Sequence, residues 1–334
     1  MKTKVLITGV TGFVGGHILK GLAQDKNLIL SVLLRNPDKF GKIKTQGSFH
    51  VYIGDITRPE SLTKALIGKD VIIHCAALMS NFDSKTRREF YRVNVTGTEN
   101  ILRACDSKTL KQFVQISTSG VYGACSGYPS WESGPYGRAL SAYEWSKKEA
   151  EIMVLKYAKH RGLPFTILRP SQLYGPGMYY GWPDTIRAIN SGRMFVLGNG
   201  KAKIHLLNIK DLVKAVGQLL LNKSAINQIY NIAGPEIVSI SKVFNLISGI
   251  LRKKEPGRMP YSPMYLMSLF LKLIPHKFKN RHLALLTPHR IRFFSENHTY
   301  STSKAARDLN YAPGVRMHDG FCEMINWCKE ERLI

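Results

Sequence analysis

The chain has 334 residues, 44% hydrophobic and 21% charged, so it can bury a core of one domain, or one and a half, and is not a disordered polymer. Lys and Arg number 48 against 23 Asp and Glu, a formal net charge of +25. Such an excess calls for anionic company: a phosphate-bearing cofactor, acidic lipid or nucleic acid.

In chain order, Lys4–Thr8 reads as a first buried strand; its apolar run, Val5 to Ile7, is too short for a signal peptide. A Gly-rich turn and a helix over Phe13–Gln24 follow. Strands are then expected at Ile29–Leu34, Phe49–Ile53, Val71–Cys75, Gln112–Ser117 and Phe165–Leu168, with helices at Glu60–Leu66, Thr86–Cys105 and Ala142–His160. The strands are continuous apolar runs without alternation, as in a parallel sheet covered on both faces. Strand alternating with helix predicts an α/β fold with a doubly wound parallel sheet. After about Pro170 Gly and Pro become frequent and the rhythm breaks. The expected division is a dinucleotide-binding domain over 1–175 and a smaller, discontinuous substrate lobe over 176–334 that partly returns to the sheet at about 203–233.

The turn after the first strand is Thr8-Gly-Val-Thr-Gly-Phe-Val-Gly15. Gly9, Gly12 and Gly15 permit a tight turn, close approach of backbone to a pyrophosphate, and close helix–strand contact. The helix N-terminus beyond offers unpaired N–H groups to phosphates. At the end of the second strand, where a carboxylate would select NAD, stands Arg35, which can pair with a 2′-phosphate. The expectation is NADP(H), with NAD(H) possible; a solvated loop charge is the competing reading of Arg35. Asp55, after the third strand, can accept from an adenine amino group or cap a helix.

Tyr143 and Lys147 lie one turn apart on one helix face. A free tyrosine, with a pKa near 10, is a poor base at neutral pH, and a neighbouring ammonium can bring it down. Tyr300 and Lys304 repeat the spacing, but only the first pair follows a strand ending Ser117-Thr-Ser-Gly-Val-Tyr-Gly123. Taken with TGVTGFVG, Gly54-Asp55, His74-Cys-Ala-Ala77, Asn94-Val-Thr-Gly97 and Leu168-Arg-Pro-Ser-Gln-Leu-Tyr-Gly-Pro-Gly177, these motifs make the chain resemble the extended short-chain dehydrogenases/reductases. That superfamily holds nucleotide-sugar epimerases and dehydratases, 3β-hydroxysteroid dehydrogenases and dihydroflavonol reductases. The likeness is strong from Lys4 to Gly177 and weaker through Asp211, Tyr230–Gly234 and Ser303–Pro313.

The resemblance implies Thr118, Tyr143 and Lys147 as catalytic residues, with Ser119 the alternative hydroxyl and a substrate contact beside Tyr143. It implies a cofactor site of Gly9, Thr11, Gly12, Phe13, Val14, Gly15, Arg35, Asp55, Ile56, Ala76, Ala77, Asn94, Tyr143, Lys147, Pro170 and Leu173. Tyr143 would give or take an alcohol proton while hydride moves to or from the nicotinamide.

Two departures weaken a sugar-nucleotide reading. Ile204 stands where that branch places an Arg after Gly198-Asn199-Gly200, and Leu207-Asn-Ile-Lys-Asp211 replaces its usual acidic segment. Ser119-Gly120 lacks the Asp-Glu pair of the dehydratases. The 261–274 stretch is rich in Met, Leu, Phe and Tyr and is flanked by Arg252, Lys253, Lys254 and by Lys277, Lys279, Arg281. It resembles the apolar insertion of the 3β-hydroxysteroid dehydrogenase-like branch and is read either as a peripheral membrane contact through 261–281 or as a lid over an apolar cleft. The expected activity is alcohol/ketone interconversion on an apolar or amphipathic small molecule, sterol-like or flavonoid-like, with a nucleotide-sugar 4-epimerase or reductase as the alternative.

Scattered histidines, His276, His282, His289 and His298, predict no metal site. No organised basic stripe predicts nucleic-acid binding. No run approaches the roughly 18 apolar residues of a membrane span, and five dispersed cysteines without a CxxC pair argue against a disulfide framework. The expected setting is cytoplasmic, and the resemblance implies a homodimer through helices that include 86–105 and 142–160.

Overall fold

The computed structural model describes residues 2–38, 47–79, 85–124, 129–273 and 286–334, the side chains of 272 and 273 excepted. Thr3–Thr8 (β1) enters a Gly turn and helix Phe13–Leu22 (α1), followed by Leu28–Leu34 (β2) and Phe49–Ile53 (β3). Next come Thr63–Leu66 (α2), Val71–His74 (β4), the helical pieces Arg87–Phe90 (α3) and Gly97–Ala104 (α4), Gln112–Ile116 (β5), Ala142–Arg161 (α5) and Phe165–Pro170 (β6). The rest comprises Gln172–Tyr174 (β7), Trp182–Asn190 (α6), Phe195–Leu197 (β8), Lys203–Asn208 (β9), Ile209–Leu219 (α7), Gln228–Ile232 (β10) and Ile237–Ser239 (β11). It closes with Ile240–Leu251 (α8), Gly257–Met259 (β12), Tyr261–Leu273 (α9), Pro288–Phe293 (α10), Ser303–Leu309 (α11) and Met317–Glu330 (α12).

Seven parallel strands form the central sheet in the order β10-β6-β5-β4-β1-β2-β3. The order reverses between β1 and β4, so a crevice opens at the carboxyl ends of those strands, the place where open α/β sheets bind ligands. Every residue of β4, β5 and β6 is buried, whereas edge strand β3 exposes Val51 and Ile53. One sheet face packs Ile18, Leu19, Leu212, Val216 and Leu309 from α1, α7 and α11; the other packs Leu66, Ile101, Leu102 and Val154 from α2, α4 and α5. Each such aliphatic side chain contributes about 1.5–3 kcal/mol by leaving water.

A second core, with Trp182, Phe244, Phe321 and Met324, lies in the C-terminal lobe. The lobe interleaves with the sheet: β10 joins its edge, while β9 pairs with β7 and β11 in a three-stranded sheet of its own. Thus, within 203–233, only 228–232 enters the central sheet. Ile204 is buried in the second core.

Two expected helices take other forms. The 60–66 stretch splits into a 3₁₀ turn at Pro59–Ser61 and the single turn α2, because Pro59 can start a turn but donates no backbone bond. The 86–105 stretch starts at Thr86 with a reciprocal Thr86/Glu89 cap, but Tyr91–Thr96 is wound as a π segment. Helix α5 follows the expected course: Ser141 and Glu144 cap its start and Gly162, at φ +64°, ends it.

Candidate active site

β1 delivers the chain into Gly9 at φ +75°, where a Cβ would lie 2.6 Å from the Ala76 nitrogen. A Cβ on Gly15 would collide with the Gly9 carbonyl, so α1 starts hard against the turn and its N-terminal amides face the crevice. Thr8 Oγ1 bonds His74 Nδ1 at 2.8 Å and accepts from Ala76 N at 3.2 Å, which ties β1 to the loop after β4. His74 Nε2 contacts Thr98 Oγ1 at 3.1 Å, and burial with nearby Lys147 holds the imidazole down to about 3, hence neutral.

The crevice is a cleft of about 510 Å³. Of the expected cofactor residues, Gly9, Thr11, Gly12, Phe13, Val14, Gly15, Arg35, Asp55, Ile56, Ala76, Ala77, Tyr143, Lys147, Pro170 and Leu173 line it, and Thr118 joins them. Asn94 does not. It is buried behind the wall, where Oδ1 accepts from Leu78 N at 2.6 Å and Nδ2 donates to Leu78 O at 3.0 Å and to Ser146 Oγ at 2.8 Å. Asn94 therefore pins the Ala76–Leu78 loop to α5, and the π segment is the winding that presents it. Ser119 is likewise buried and faces a smaller cavity of about 80 Å³ with His205, His289, His298 and Tyr300. Asp55 caps no helix: its Oδ1 accepts from Thr57 N and Oγ1, both at 2.9 Å, forming a local turn at the cleft wall.

Thr118 caps the 3₁₀ turn Ser119–Tyr122 by accepting from Gly120 N at 3.1 Å. Lys147 is buried and donates from Nζ to the Ile116 carbonyl at 2.7 Å. Desolvation lowers it to about 8, opposed by the Glu151 carboxylate. Burial, then Tyr180 and Glu144, push the Tyr143 phenol up, the direction opposite to that expected from a neighbouring ammonium. Tyr143 sits edge-on to Phe90.

Beneath the cleft lies an ion pair that sequence reasoning missed. Arg169 of β6 donates to Glu151 of α5 at 2.7 Å, with side chains 3% and 0% exposed. Ser117, at a short contact, and Tyr136, at 2.9 Å, also donate to Glu151, while Arg169 reaches the Tyr122 oxygen at 2.8 Å. Glu151 stands one turn beyond Lys147, a spacing that marks it in the sequence; its partner is set by sheet order.

Beyond Tyr143 the cleft continues into a lobe of about 240 Å³ lined by Met79, Phe90, Trp182, Phe293 and Phe294, with His289 and Arg290. Burial holds the Arg290 guanidinium below its ordinary value, offset by Asp184, and one of its nitrogens donates to Thr185 Oγ1 at 3.3 Å.

The donor set fits a dinucleotide: the glycine cradle admits backbone against a pyrophosphate, α1 supplies amides, Arg35 is exposed at the end of β2, and Lys147 lies at the far end. When bound there, a nicotinamide supplies or accepts hydride. Thr118 and Tyr143 line the same cleft as Lys147, a hydroxyl able to bind a substrate oxygen and a phenol able to hold or move a proton. Among the described residues no His, Cys, Asp and Glu cluster could hold a metal ion, and Cys75, Cys105, Cys322 and Cys328 are free thiols. Cys125 lies outside the described residues. Cys322 is half-buried, with Sγ 3.8 Å from His318 Nε2, whereas Cys328 is buried in the second core.

The model of the NAD dependent epimerase/dehydratase family matches residues 5–233. A 3β-hydroxysteroid-dehydrogenase/decarboxylase of Arabidopsis thaliana is 27% identical over 96% of this chain and 78% of its own length. A decarboxylating sterol-4-alpha-carboxylate 3-dehydrogenase of Schizosaccharomyces pombe is 27% identical over 98% of both chains. A UDP-glucose 4-epimerase of Vibrio cholerae is 27% identical over 82% of this chain and 83% of its own. The crystal structure of UDP-glucuronic acid 4-epimerase from Bacillus cereus in complex with NAD superposes with a TM-score of 0.79 at 23% identity, over 98% of this chain and 99% of that one, and shares the fold. The chain belongs to the NAD-dependent epimerase/dehydratase family and is an NAD(P)-dependent enzyme of the extended short-chain dehydrogenase/reductase type.

Proposed function

We propose that the protein interconverts an alcohol and a ketone on an amphipathic small molecule with an apolar body, sterol-like or flavonoid-like, and that it prefers NADP(H). The observation that carries this reading is the lobe beside Tyr143: Met79, Phe90, Trp182, Phe293 and Phe294 suit a hydrocarbon or ring system. Arg290 adds one desolvated cation, which suits a substrate that also bears an anion. Two relatives that match nearly all of this chain carry names that describe such chemistry, a sterol hydroxyl oxidised with loss of a carboxylate. The preference for NADP(H) rests on Arg35, exposed at the end of β2 and lining the cleft.

The lost guanidinium at Ile204, buried in the second core, speaks against a sugar diphosphate. Arg290 speaks for one, since a diphosphate also satisfies a buried cation; a nucleotide-sugar 4-epimerase or reductase is therefore the second reading. The test is nicotinamide absorbance with NADPH and NADH against three panels: sterol-like ketones with and without a neighbouring carboxylate, flavonoid-like ketones, and sugar nucleotides. Turnover of an apolar ketone with NADPH supports the proposal. Turnover confined to the sugar nucleotides overturns it.

A further inference from the structure

Helix α9 buries one apolar face and leaves the opposite one, equally apolar, in solvent. Met264, Ser268 and Leu271 are buried at the spacing of a single helical stripe, on a helix packed against α10. On the outer side Leu266, Met267, Leu269 and Phe270 are 65%, 40%, 42% and 67% exposed. A helix at a water-facing surface carries polar residues there, and contiguous exposed apolar side chains mark a contact.

The run into this helix is basic. Arg252, Lys253, Lys254 and Arg258 are all exposed, and Glu255 is the one acidic residue between 252 and 271. Arg258 precedes Tyr261 by three residues, so its Cα lies within about 11 Å of the helix start, close to the screening length of about 10 Å at 0.1 M salt.

We propose that α9 docks the protein on an anionic lipid surface. Leu266, Met267, Leu269 and Phe270 enter the headgroup–acyl boundary, and Arg252, Lys253, Lys254 and Arg258 lie against the headgroups. The helix lies in the interface and does not cross it: 13 residues span about 20 Å, short of the roughly 30 Å hydrocarbon core, and among the described residues no helix is long and apolar enough to cross a membrane. A second copy is the poorer occupant, because a two-fold contact through this face brings its basic cluster toward its own image. The basic residues at 277–281 lie outside the described segments and form no part of the surface. Since α10 both packs on α9 and lines the lobe beside Tyr143, the docked face adjoins the lobe; only that link rests on the proposed function.

The test needs no turnover. The full chain is sedimented with phosphatidylcholine vesicles and with vesicles that also contain phosphatidylserine. It should bind the second at about 0.1 M salt and be released at about 1 M, where screening shortens to about 3 Å. The double variant Leu266→Glu/Phe270→Glu should bind at least about tenfold less, having lost two apolar anchors and gained two anions, while its nicotinamide-dinucleotide affinity, read by fluorescence, stays unchanged. As an independent reading, Leu266→Trp should add a fluorescence signal that shifts to the blue with the anionic vesicles alone. Absence of binding to anionic vesicles overturns the proposal, as does undiminished binding by the double variant. So does a double variant that turns a dimer into a monomer without changing lipid binding, since the face then belongs to a second copy.

Discussion

Lys147→Met should make the protein more stable at neutral pH while it removes activity. Lys147 is fully buried, and desolvation takes its amine from 10.5 to about 8. Lowering the folded value means that below pH 8 the unfolded chain holds its proton more favourably than the folded one. A drop of about 2.5 units at about 1.4 kcal/mol each costs about 3 kcal/mol at pH 7. Methionine fills a similar volume without that cost but leaves the Ile116 carbonyl without the Nζ bond of 2.7 Å, a loss of about 1 kcal/mol. The variant should therefore be more stable by about 2 kcal/mol at pH 7. Because unfolded lysine loses its proton near 10.5, the cost fades as pH rises from 8 to 10.5, and by pH 10 the advantage should have vanished or slightly reversed. Urea unfolding of both proteins at pH 7 and pH 10, without added cofactor, reads the difference. A variant less stable at pH 7, or a gap that does not change with pH, refutes the assignment of a desolvated ammonium.

Three further outcomes follow from the same geometry. Tyr143→Phe should lower kcat by about 10²–10⁴-fold with cofactor affinity nearly intact; retained turnover in a steady-state assay removes Tyr143 from the acid–base role. Arg35→Asp should reduce the NADP:NAD ratio of kcat/KM by about 10–100-fold, the weight of one or two charge-assisted bonds, and an unchanged ratio makes Arg35 a solvated loop charge. Arg169→Met should cost about 3–5 kcal/mol because it strands the Glu151 carboxylate in the interior. Arg169→Met combined with Glu151→Leu should recover most of that loss in a denaturant titration, and a single variant as stable as the parent would show the pair to be hydrated.

The parts of the site that sequence makes legible are those encoded locally. β1, the glycine turn and α1 form one uninterrupted stretch, and Gly9 and Gly15 answer clashes that arise within that stretch or just past the neighbouring strand β4. Tyr143 and Lys147 share a helix face by spacing alone. What escaped depends on contacts distant in the chain. The π segment at 91–96 exists in the company of Leu78 and Ser146, 16 and 52 residues from Asn94, and nothing in YRVNVT announces it. His205, His289 and His298 look scattered, yet they gather on one small cavity because 298 bridges to β9 beside Ile204 and α10 folds over the same spot. Arg290 reads as one more surface charge of a basic chain until α10 turns it toward Thr185.

Charge state is the other thing a motif withholds. A tyrosine and a lysine one turn apart suggest an ammonium that eases ionisation of a phenol, and in water that inference is sound. Here the same burial acts on both groups with opposite sign, holding the Tyr143 proton on and drawing the Lys147 proton off. With its amine near 8, Lys147 still carries its proton at pH 7, so the chain alone presents a protonated phenol beside an ammonium, and the Glu151 carboxylate is the first of the groups that oppose loss of that charge. Glu151 in turn is held in a dry interior by Arg169, Ser117 and Tyr136, which all donate to it. Lys147 thus feels an ion pair one layer below the cleft, whose members sit on α5 and β6 and meet only when the sheet is assembled.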